Sequence, residues 1–101
     1  MDSFCERMER EAVPAVEAAL GSEALVSRRG DGLLQFRVVA RERLADSKCE
    51  GARREEIRRI VLGAGAACAK VHPAASPFRP DLYTVYSVTA LDREEAFLAG
   101  R

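Results

Sequence analysis

The chain has 101 residues, 48% apolar and 32% charged, and its 16 basic and 16 acidic side chains cancel. That length suits one domain and not two, and the apolar fraction argues against intrinsic disorder. No apolar run approaches the roughly 20 residues of a bilayer span; the longest, Ile60 to Ala69, carries Gly63 and Gly65.

In chain order, Asp2, Glu6, Glu9 and Glu11 argue against a signal peptide or an acid-poor transit peptide at the start, unless one was removed before residue 1. Phe4, Met8, Val13, Val16 and Leu20 recur at helical spacing, and Ser3 with Glu6 forms a capping box. Pro14 either kinks this helix or opens a second one, and Gly21 ends it. A short strand over about Ala24 to Arg28 and a clearer one over about Leu33 to Arg41 flank the turn Arg29-Gly30-Asp31-Gly32. In the second strand Leu34, Phe36, Val38 and Ala40 share one face and Gln35, Arg37 and Arg41 the other. That alternation marks a half-buried antiparallel strand.

A polar loop runs from Glu42 to Gly51, with Ser47 and Glu50 as a second capping box. The strongest predicted helix spans about Ala52 to Lys70, with Ile57, Ile60, Val61, Ala64 and Cys68 on one face. Pro73, Pro77 and Pro80 make the stretch from His72 to Pro80 an irregular connection. Leu82 to Leu91 reads as the third strand. Asp92 caps a short last helix, with Glu95 completing a third capping box. The expected fold is α+β: a two-layer α-β-β-α-β-α domain, a three-stranded sheet with helices packed on one face.

Candidate chemistry is sparse. Cys5, Cys49 and Cys68 lie far apart, without the two-residue spacing of a redox or zinc pair. They read as free thiols in a reducing compartment, cytoplasmic or the mitochondrial matrix. Cys5 and Cys49 stand near helix starts, where a thiol can be activated, but no partner base is evident. His72 is the single histidine. Arg53, Arg54, Arg58 and Arg59 cover adjacent turns of one helix and are candidate phosphate or interaction contacts, with Glu55 and Glu56 interleaved. Phe78, Tyr83 and Tyr86 are either base-stacking residues or core and edge residues. The segment from Arg28 to Arg79 holds 12 basic and 6 acidic residues and the flanks 4 and 10. That layout either steers an acidic partner or nucleic acid, or is a solvated, internally paired surface. No catalytic motif is present, so the expected role is non-enzymatic.

Several short strings resemble the BolA-like family. Phe36-Arg37-Val38-Val39 is similar to a string in that family's second strand, and Arg58-Arg59-Ile60-Val61-Leu62-Gly63 to its arginine-led helix. Val71-His72 is similar to the Val-His before its last strand, and Val88-Thr89-Ala90-Leu91-Asp92 with Glu95 to its final junction. The likeness covers about residues 33–97. It implies an α-β-β-α-β-α layout, related to the KH arrangement. It also implies an adaptor that pairs with a monothiol glutaredoxin, shares a [2Fe–2S] cluster and supports iron homeostasis. His72 would be the retained ligand. The family's second ligand position falls near Gly30 and Asp31, neither a Cys nor a His, and a proline-bearing insertion follows His72. Two other readings remain: a small interaction subunit of a larger complex, and a KH-like nucleic-acid binder, for which no Gly-x-x-Gly loop is found.

Overall fold

The computed structural model describes residues 3–42 and 47–93. The N-terminal helix, residues 4–20, is built in three pieces: α1 (Phe4–Arg7), a π-helical turn (Met8–Ala12) and α2 (Val13–Leu20). The Ser3 hydroxyl caps it, accepting from Glu6 N–H at 3.1 Å. Pro14 lies in the first turn of α2, immediately after the π turn. A widened turn there admits a residue that lacks an N–H and whose ring crowds the carbonyl four residues back. The helix therefore continues past Pro14, with its apolar stripe of Cys5, Met8, Ala12, Val13 and Val16 buried throughout. Gly21, at φ 70°, stops it: its N–H and that of Ser22 return to Glu17 O.

One antiparallel sheet holds four strands, β1 (Ala24–Gly30), β2 (Leu33–Ala40), β3 (Cys68–Ala75) and β4 (Thr84–Leu91), in the order β1-β2-β4-β3. The β1–β2 hairpin is tighter than expected, since β1 runs on to Gly30 and only Asp31 and Gly32 form the loop. Gly32 has φ 75°, and its carbonyl accepts from Asp92 N–H at 2.8 Å, tying the hairpin tip to the end of β4. The register shifts between Val26 and Arg28. That bulge sets Arg28 opposite Gln35 and turns Arg29 toward the helices, where it meets Glu9 at 2.7 Å.

The expectation of three strands in an α-β-β-α-β-α order is corrected. The described order is α-β-β-α-β-β, and the added strand is β3. The main helix, α3 (Ser47–Gly63), starts earlier than expected and ends seven residues before Lys70. Gly65, at φ 116°, turns the chain into β3, which takes residues 68–70 from the expected helix, 72–75 from the expected irregular stretch, and Val71 between them. Cys68 is thus a strand residue and not part of the helix face. An alanine-rich run satisfies helical spacing by default, and only Ala69 and Val71 buried against Lys70 and His72 exposed shows the two-residue period. The expected last helix from Asp92 and Glu95 lies outside the described residues, as do the side chains of Ser47, Cys49 and Glu50.

The helices pack on one face of the sheet. Leu34, Phe36, Val38 and Ala40 of β2 meet Tyr86, Val88 and Ala90 of β4 and Val71 of β3 in a core closed by Met8, Val16, Ile57 and Val61. Each large apolar side chain buried here contributes about 1.5–3 kcal/mol. Both outer strands are interrupted. β1 carries the bulge, and β3 carries Pro73 at its middle. Ser76 N–H bonds Tyr83 O at 3.1 Å, extending the β3–β4 register. By antiparallel alternation the even-numbered residues of β3 bond β4, while Ala69, Val71 and Pro73 turn their amide groups outward. Proline sits where no ladder donor is lost.

Candidate functional site

α3 and β3 lie side by side, and between them runs a cleft of about 510 Å³. Arg54 and Arg58, one helical turn apart, line it from α3 together with Gly51 and Glu55. The edge of β3 from Ala69 to His72 lines it from the sheet, with Lys70 and His72 directed to the sheet face away from the helices. The four cationic or imidazole side chains are all exposed. Among the described residues Glu55 is the one acid lining it, 3.4 Å from Arg58 with both side chains half in solvent. At that exposure the pair is worth at most about 1 kcal/mol and leaves the wall basic.

The arginine tetrad separates. Arg54 and Arg58 enter the cleft, while Arg59 borders a shallow depression with Ala52, Glu55, Glu56 and Ile60. Arg53 is structural. Its Nε and Nη2 both stand 3.0 Å from Glu42 Oε1, and its Nη1 lies 2.6 Å from Glu56. Its hydrogen bond to Glu42 holds the guanidinium pKa above the ordinary value, against a smaller opposing effect of burial. Tyr86 OH donates to the other Glu42 oxygen at 2.8 Å, and Thr84 Oγ1 donates to the Glu42 carbonyl at 2.6 Å. Glu42 thereby fastens the end of β2 to α3 and to β4, and it provides the partners that the two buried polar groups of β4 need.

His72 stands opposite Ser87 on the exposed side of the sheet. Among the described residues no group of three or more His, Cys, Asp or Glu side chains is placed to hold a metal. The other described side chains lining the cleft are cationic, acidic or aliphatic, and none of them is a soft donor. Cys5 is buried, its Sγ 3.1 Å from Leu33 O and 3.2 Å from Gly30 O, and it serves to seat the hairpin on the helix. Cys68 is half-buried at the start of β3.

A second feature was not anticipated from sequence. On the sheet face away from the helices, Leu25, Arg37, Val39 and Val85 form the floor of a groove of about 570 Å³. The β3–β4 loop supplies its wall with Pro77 and Phe78, and Phe78 is 87% exposed. Buried Ser76 shapes that wall by accepting from Phe78 N–H and Arg79 N–H, both at 3.3 Å. Leu25 is 72% exposed. The alternation of β2 made Arg37 an open-face residue in the sequence, and Val39 shares its side in the structure. Phe78 carried no such signal, because its position depends on a strand that was not recognised. Of the aromatics considered for stacking, Tyr86 is core, Tyr83 is half-buried and Phe78 is in the open.

No described helix is long and apolar enough to cross a membrane. Compared with known proteins, the chain matches no family model, no curated protein and no solved structure.

Proposed function

We propose that this chain is a non-enzymatic interaction module that docks a protein partner on the open face of its sheet. The observation that carries this reading is the apolar groove under Phe78, where Leu25, Val39 and Val85 meet water together instead of singly. The charges on the strands of that face are Arg28, Arg37 and Lys70, and Glu23 stands at the groove's rim. The complementary partner is an extended or helical segment with apolar side chains flanked by acids. Two copies of this chain face to face would oppose arginine to arginine, which argues against self-association there.

An adaptor to a monothiol glutaredoxin, sharing a [2Fe–2S] cluster, is a narrower form of the same proposal. It rests on the short strings of the family resemblance, with His72 as the one retained ligand, and the described element order differs from the layout that the resemblance implies. The open-face reading does not depend on it.

The test is selection of a random peptide library on the immobilised protein. Enriched peptides should combine apolar and acidic residues. Each should lose about tenfold or more in affinity when Leu25 and Phe78 are replaced by Ser, a loss of about 1.4 kcal/mol. Binders that are basic, or that ignore both substitutions, would sink the proposal.

A further inference from the structure

The helices cover one face of the sheet and leave the other without a layer of its own. We infer that the occupant of that open face is an amphipathic helix of a partner protein, with an acid one turn away from its apolar residues so that a carboxylate meets Arg37. This rests on the reading that the open-face groove docks a protein partner, and narrows that partner to one shape and one charge.

Main-chain groups decide the shape. β2 and β4, which carry Arg37, Val39 and Val85, are each paired with strands on both sides, so this floor reads a partner through side chains. A partner strand added at an edge would need β1 or β3, and those are interrupted by the bulge and by Pro73. An extended segment laid on the floor would carry its N–H and C=O groups over Leu25, Val39, Val85 and Phe78, whose side chains bond none of them. A helix bonds those groups within itself and turns only side chains toward the floor. Its width also fits. Strands lie about 4.8 Å apart, so β1 to β4 spans about 10 Å, the diameter of one helix, with Pro77 and Phe78 standing at its side.

The register decides the charge. Val39 with Val85 forms an apolar rung, Leu25 with Arg37 the next, and Arg28 with Gln35 the one after. Successive rungs stand about 7 Å apart along the strands, close to the roughly 6 Å between residues i and i+4 of a helix. Apolar residues set over the first rung and beside Phe78 therefore bring the next turn over Arg37. A helix there takes the Arg37 guanidinium out of water, and Arg37 forms no ion pair among the described residues. A charge buried without a partner is costly, so the helix itself has to supply the carboxylate. Among the described residues the acid lining the groove is Glu23, just before β1 and next to the apolar rung. It repels an acid at that end and favours one at the Arg37 end.

The test pans the immobilised full chain with two peptide libraries of equal length, one random and one built on an alanine-rich helix with a single face randomised. Binders from the helical library should carry apolar residues at i, i+3 and i+4 and an acid one turn from them. Their helical circular dichroism should persist or rise in the complex, and a proline at mid-helix should weaken binding at least about tenfold. Arg37→Ser should weaken it about tenfold or more. Arg59→Ser, an equally exposed arginine on α3 across the sheet, should change it less than about twofold. Thermal unfolding of each variant checks that the fold is kept. Random-library binders that lose affinity with Leu25→Ser and Phe78→Ser, yet show no helix and tolerate proline, would overturn the helix and leave the docking reading intact. Binders from neither library would overturn both. Unchanged affinity for Arg37→Ser, or an equal loss for Arg59→Ser, would overturn the carboxylate at Arg37. Self-association of the free chain at about 100 μM that Leu25→Ser abolishes would make a second copy the occupant. A single-stranded oligonucleotide that binds more tightly than every selected peptide would make it a nucleic acid, and either result overturns the helix.

Discussion

Toward the helices, β2 presents Leu34, Phe36, Val38 and Ala40, all at or near zero exposure. Toward the other side the same strand presents Gln35, Arg37 and Val39. β4 repeats the contrast, with Tyr86, Val88 and Ala90 buried and Val85, Ser87 and Thr89 half-buried. Backbone pairing is common to both faces. What separates them is the weight of apolar volume on one side and its scatter among polar groups on the other. The covered face holds the fold together, and the open face leaves room for recognition. Substitutions on the two faces should therefore act on different observables.

The largest effect expected is from Phe36→Ala. It empties the centre of the covered face and should cost about 3–5 kcal/mol in chemical denaturation. A cost below about 1 kcal/mol would mean that this face is not the stabilising one. Next is Gly65→Ala at the turn from α3 into β3. A Cβ there would stand 3.1 Å from Arg7 Nε on a backbone at φ 116°, so a loss of about 1–3 kcal/mol is expected. Thermal unfolding measures it, and an unchanged midpoint would show that the turn tolerates another conformation.

Arg53→Met should follow, at about 1–2 kcal/mol, because it takes from half-buried Glu42 a charged partner and two hydrogen-bond donors. The figure is lowered for an arginine whose side chain is 28% exposed. Arg53 has a raised pKa in the folded state. Its contribution is accordingly complete below the unfolded pKa and is lost only as pH rises through the folded one, far into alkali. The Arg53→Met penalty should thus not decay between neutral pH and pH about 9 through this group, which a pair of denaturation curves would check. The smallest stability effect is expected from Leu25→Ser on the open face, within about 0.5 kcal/mol. A larger cost would mean that Leu25 is part of the core's support and would blur the distinction between the faces.

Much of the covered face was readable in advance. The β2 alternation, the helical stripe from Met8 to Val16, and Ile57 with Val61 are all strong apolar periodicities made by large side chains. What was not readable depended on small ones. From Ala64 to Ala75 the apolar and glycine positions are one Val and a series of Ala, Gly and Cys beside Pro73, too small to declare a period. Pro73 reads as a breaker unless the strand is known to lie at an edge. Missing β3 had a direct effect on the site. His72 and the arginines were singled out separately, but with His72 in an irregular connection nothing placed the edge of β3 beside Arg54 and Arg58. Arg53 could not be told from its neighbours by spacing, since its role is set by Glu42, eleven residues earlier and across the loop.

Pro73 bears on how such molecules behave together. An unbroken outer strand invites another chain to lengthen the sheet, and a solution of such proteins drifts toward fibrous assemblies. A proline at the middle of β3 ends that growth after the fourth strand, and the bulge near Ser27 twists the opposite border away. The sheet is thereby made finite, and crowding at high concentration should leave it so.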